Sequence, residues 1–202
     1  MATDTERQPL GLPEGSVRAV LALQITLSFW MLVILPDPAQ RTLHIPLNLY
    51  FLLAFVFMFF VSYGHSAADT EDPEPSPLGL PPLLVQIVIL FGTAAILWWQ
   101  YSTNPDRLKA RLAPDELKNA YRFGAALLGG FMVGFLIRAI PGRNSAIFQF
   151  IHAWLSMIAM FMLVVEIVVH AFISPTLEES LDVATLEMVI TAIVACYFGT
   201  RS

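Results

Sequence analysis

Ionisable side chains inside long apolar runs mark candidate chemistry, because a charge at the centre of a bilayer costs about 3 kcal/mol or more. Two meet that condition here, Glu166 and Glu187. Glu166 falls six residues before the end of an apolar run at 147–172, and Glu187 six residues after the start of another at 181–198. A helical rise of 1.5 Å per residue sets both about 9 Å below the same interface, across a short antiparallel connection. His170 follows Glu166 by one turn on the same face, and Arg122, opening a run at 123–140, falls in the same leaflet. Two carboxylates and a histidine can share a proton or coordinate a cation. Glu166, Glu187, His170 and Arg122 are therefore the candidate ion or proton pathway, set against local pairing or reach back to the interface.

The four histidines offer a second chemistry. His44 and His65 bracket the run at 45–63, while His152 and His170 lie 18 residues, or five turns, apart on one face of 147–172. In antiparallel helices His44 pairs with His170 and His65 with His152, one pair per leaflet, as a di-haem b-type anchor requires. His44 precedes Ile45-Pro46 and His65 borders a polar linker, so both are expected to be loosely held ligands. The expected cofactor set is accordingly none beyond bound lipid, with haem b the exception to be tested.

Enzyme signatures of water-soluble type are missing. The chain carries no phosphate-cradling glycine loop, no His-Glu-x-x-His and no nucleophile elbow, and Gly64-His65-Ser66 is mere adjacency. The single cysteine, Cys196, excludes an intrachain disulfide framework and a thiolate metal cluster. Net charge is −5 with few, scattered basic residues, which argues against nucleic acid as a partner. A non-enzymatic protein is expected.

Those residues must be positioned by helices in lipid. Of 202 residues, 56% are hydrophobic and 13% charged, and mean hydropathy is +0.67. The apolar runs are long and lack alternation, so an all-α integral membrane protein is expected, since helices satisfy their own backbone in hydrocarbon. Six spans are counted, at 17–35, 45–63, 83–101, 123–140, 147–172 and 181–198. The alternative is five, with the glycine-rich 123–140 segment re-entrant or in-plane. Residues 1–16 form a polar N-terminal segment with no cleavable leader, 64–82 an acidic proline-rich linker, and 199–202 a tail. Between 104 and 122 the Asn104-Pro105-Asp106 and Ala113-Pro114-Asp115-Glu116 sequences look like helix starts, giving an amphipathic interfacial helix bent at Pro114.

Six spans divide Lys and Arg five against six, which sets no orientation, whereas five spans divide them nine against two. An offset near 105 aligns Pro36 with Pro141 and His65 with His170, suggesting two inverted three-helix halves.

Small residues supply packing faces. Ala126, Gly130 and Gly134 recur at four-residue spacing in one run and Thr191, Ala195 and Gly199 in another, letting helices approach closely within the chain or between subunits. The leading expectation is a membrane subunit of a homo-oligomer or larger complex, held by these faces in the lipid bilayer, with a bacterial inner membrane the simplest expected location. Its competitors are a proton or cation channel or transporter using Glu166, Glu187 and His170, and the di-haem anchor.

Overall fold

The computed structural model describes residues 16–37, 43–67, 82–113, 120–139, 146–176 and 183–200. Every regular element among them is helical: α1 Ser16–Ile34, α2 Leu47–Ala67, α3 Pro82–Thr103, α4 Pro105–Leu112, α5 Ala120–Ala139, α6 Ala146–Val168 and α7 Ala184–Gly199. A π-helical turn, Val169–Ile173, and a 3-10 turn, Ser174–Thr176, continue α6. Among the described residues four stretches are long and apolar enough to cross a membrane: Ser16–Ile34, Leu84–Thr103, Ala120–Ala139 and Phe150–Ile173. Leu47–Phe59 and Ala184–Gly199 are shorter apolar helices. Together they mark the chain as a helical membrane protein.

The expected boundaries shift at several places. α2 runs on to Ala67, so His65 lies within its last turns rather than beside a linker. α5 is one continuous helix starting at Ala120, three residues before the expected start. The interfacial helix stops at Leu112, and Ala113 is extended at φ −68°, ψ 113°, as the ring of Pro114 requires of the residue before it. Asn104 and Pro105 open that helix as anticipated, with Asp106 in its first turn. The segments 1–15 and 68–81, the Pro114 to Glu116 part of the second helix start, and the tail at 201–202 lie outside the described residues.

α1 and α7 supply the centre of the bundle. Leu21, Ile25 and Leu32 of α1 are buried together with Leu49, Leu52 and Val56 of α2, Leu163 of α6, and Ile190, Val194 and Phe198 of α7. α3 and α5 stand at the edges and turn large apolar side chains outward, among them Phe91, Trp98, Leu128 and Leu136. Trp98, Trp99 and Tyr101 at the end of α3 and Tyr121 at the start of α5 are exposed at one end of the bundle, where an aromatic belt belongs. Adding 105 to α1 and α2 gives 121–139 and 152–172, close to α5 and to α6 with its π turn. Contacts repeat in part: α1 meets α3 as α5 meets α7, and α1 meets α6 as α2 meets α5. Burial does not repeat, since α1 is central and α5 is peripheral.

Lipid offers no hydrophobic drive for helix association, so close packing carries it. α5 and α7 touch backbone to backbone. A Cβ on Gly130 would strike the Ala192 carbonyl, one on Gly134 the Cys196 carbonyl, and one on Gly199 the Phe131 carbonyl. The glycines of both stripes thus lie in one α5–α7 interface, Gly130 and Gly134 against Ala192 and Cys196 and Gly199 against Phe131, with Thr191 and Ala195 fully buried and Ala126 half-buried. At the other edge the Trp30 indole lies over Gly92, and its Nε1–H donates to Thr93 Oγ1 at 2.9 Å.

Gly134→Leu should therefore separate α5 from α7 and lower stability by about 1–3 kcal/mol or more, the range for overpacking. Gly129→Ala, on a face open around that residue, should leave the thermal melting of detergent-purified protein unchanged. Equal melting of the two variants would contradict the backbone contact.

Candidate functional site

Asn48 sits in the first turn of α2 and is fully buried. Its Nδ2 donates to Oε1 of Glu166, near the end of α6, bridging two helices that are 118 positions apart in sequence at these residues. Glu166 is 1% exposed. Its Oε2 and the Asn48 Oδ1 are buried without a hydrogen-bond partner among the described residues. A buried acceptor left unmet costs about 1–3 kcal/mol, and more when charged, so this pair is expensive as a purely structural bond.

Three residues further on, the backbone changes from α to π. A π turn widens the i→i−4 ladder and rotates the side chains beyond it, and such turns concentrate at functional sites. His170 lies in this turn, with Nε2 2.9 Å from Glu187 Oε1 but out of line for the ring N–H to donate. Glu187 occupies the first turn of α7, where the amide dipoles favour a carboxylate. That corrects its expected depth: α7 starts at Ala184, so Glu187 is shallower than Glu166. Glu166, His170 and Glu187 thus gather as anticipated, while Asn48 completes the group. Arg122 does not join it. It is exposed on α5, its Nε donating to the Tyr121 hydroxyl at 3.1 Å.

A second polar group lies at the same end of the bundle. Arg111 of α4 is fully buried and directs Nη1 to the Leu32 and Val33 carbonyls at 2.7 and 2.8 Å. Its Nη2 donates to the Leu35 carbonyl and, at 2.6 Å, to Asp37 Oδ1. Arg107, one turn earlier, donates from Nε to Asp37 Oδ2 at 2.8 Å and from Nη2 to Leu35. The two guanidinium groups cap the carbonyls that α1 leaves open at its C-terminus and meet the negative end of its dipole. Partial burial pushes the Asp37 carboxyl up, but the Leu43 N–H, Arg111 and Arg107 outweigh it and hold it below its ordinary value.

At the opposite end, His152 is 4% exposed and stacks on Tyr197 with ring centroids 4.8 Å apart. Its Nδ1 is 3.1 Å from Thr200 Oγ1, whose hydroxyl donates to the Tyr197 carbonyl. The inner face of α6 therefore reads His152, Ser156, Ala159, Leu163, Glu166 and, in the π turn, His170. Polar groups occupy both ends, and Ala159 and Leu163 fill the roughly 15 Å of helix between Ser156 and Glu166. His44 is half-buried just before α2, and the His65 side chain lies outside the described residues. A haem iron would compete with Glu187 for His170 Nε2, whereas the Thr200 contact on His152 is at Nδ1. Among the described residues no three His, Cys, Asp or Glu side chains are close enough to hold a metal ion.

No family model, curated protein or solved structure matches the chain. The site stands on its own geometry.

Two participants escaped the sequence reading. Asn48 is one amide in an apolar run, with nothing local to pair it with position 166. The Asp37 clasp had a signal, since Arg107 and Arg111 share a face of α4 and Asp37 lies between the prolines closing α1. Because the Asp37 pKa is depressed on folding, its stabilisation is present above the ordinary value of 3.8 and is lost as pH falls through the lower folded value. Asp37→Asn should therefore melt below the native chain at neutral pH, with the difference closing under acid conditions below about pH 4. A gap that stays constant across that range would show that the carboxylate charge plays no part.

Proposed function

We propose that this chain is a six-span helical membrane protein that binds and translocates a proton or another small monovalent cation at Asn48, Glu166, His170 and Glu187. One observation carries the reading: a carboxylate 1% exposed, inside an apolar helix, with an oxygen that no described residue satisfies. Such a group is expensive in hydrocarbon, and its persistence fits a binding role better than a packing role.

Three features support transport rather than scaffolding. The cluster joins Asn48 from the first three-helix half to Glu166 and Glu187 from the second, the placement used by transporters built of inverted halves. The glycines that favoured an oligomeric scaffold, Gly130, Gly134 and Gly199, are covered within the chain by the α5–α7 contact. Ala159 and Leu163 block the inner face of α6 between its polar ends, which suits a gated carrier better than an open pore.

With α2 and α7 counted as spans, α1 ends, α2 begins, α6 ends and α7 begins in one leaflet, so α4 and the Asp37 clasp lie beside the cluster's entrance. Glu166→Gln should reduce cation flux into liposomes at least tenfold while the protein elutes from a sizing column as before. Undiminished flux in that variant would remove Glu166 from the path, and absence of flux in the native chain would remove the function.

A further inference from the structure

Building on that reading of the cluster, we infer that its occupant is a single proton, lodged on Glu166 and delivered through His170 and Glu187, and not a metal cation. The unmet atoms and the ligands around them separate the two. Glu166 Oε2 and Asn48 Oδ1 are both acceptors, buried without a partner among the described residues. A hydrogen-bond donor or a cation would satisfy them, and the number of ligands within reach separates the two. A proton on Oε2 turns that oxygen into a donor and removes the carboxylate charge in one step. A dehydrated divalent ion instead requires four or more ligands. Among the described residues no three His, Cys, Asp or Glu side chains converge closely enough to begin such a shell.

Among the described residues the charged groups that face Glu166 are His170, from its own helix, and Glu187, from α7, while α2 contributes the neutral Asn48.

Exposure supplies the direction. The side chains of His170 and Glu187 are 16% and 9% exposed, and Glu166 is 1% exposed, one turn deeper along α6. The transfer is balanced without another reactant. An N–H bond of the imidazolium breaks, an O–H bond forms at Glu166 Oε2, and the neutral imidazole regains its proton from water at the entrance. His170, in the π turn, holds Nε2 2.9 Å from Glu187 Oε1, one turn from Glu166 along the chain.

The test uses the full chain in liposomes with choline as the main cation, a pH dye inside and an imposed pH step, alongside infrared spectra of the same samples. Proton flux in choline is expected, falling at least tenfold in Glu166→Gln. The carbonyl stretch of a protonated carboxylic acid should be present in the native chain, absent in Glu166→Gln and unmoved by added Na⁺ or K⁺. His170→Gln should slow flux at least fivefold yet keep that band, which a merely structural histidine would not do. Glu166→Asp, which keeps the acid, should retain the band shifted and guards against misfolding of the amide variant. Flux that requires Na⁺ or K⁺, or a band that those ions abolish, would overturn the proton as occupant and leave cation translocation standing. Flux of none of these ions would overturn both.

Discussion

The guanidinium of Arg111 is the constraint on which one end of the molecule depends. A helix that ends near lipid leaves its last carbonyls without water, and α1 ends with Leu32, Val33 and Leu35 in that position. Arg111 answers all three from outside the helix and joins Asp37 in the same fork, a geometry that a lysine's point charge does not reproduce. α4 thereby becomes a fixture of the bundle rather than a float on its surface. A further link reinforces it, the Ile45 N–H reaching the Arg111 carbonyl at 3.4 Å. The start of α2, and with it Asn48, is thus located partly by a residue more than sixty positions further along the chain.

Much of the helical framework was legible because hydrocarbon imposes a length and a composition. The runs at 17–35, 83–101 and 147–172 match α1, α3 and α6 with its π turn to within a few residues. Proline and small polar residues announced the start of α4, and the glycine spacing announced a backbone contact. Which helix would answer α5 was not legible. Spacing describes a face and says nothing about its partner, and the same stripe serves a neighbour in the chain or a second molecule equally well.

The site was legible in its charges and hidden in its neutral members. Glu166, His170 and Glu187 stood out because acids and histidines are costly in lipid. Asn48 did not, since an amide is tolerated at a helix start for many reasons. The π turn left no trace in side-chain periodicity, because it inserts a single residue into a run that is apolar on nearly every side. Arg122 was drawn in by leaflet alone, and leaflet is too coarse a coordinate to choose among groups several ångströms apart.

The backbone contact between α5 and α7 also bears on how the protein is made. α5 is complete about 45 residues before α7 begins (184 − 139), a delay of several seconds at ordinary ribosomal speeds. During that interval its glycine stripe has no helix of its own chain to rest on. Bare backbone in a bilayer attracts any helix able to approach closely, so the nascent α5 is open to capture by foreign segments. Biogenesis of this fold therefore favours a holding site at the insertion machinery for α5, and a race that α7 must win.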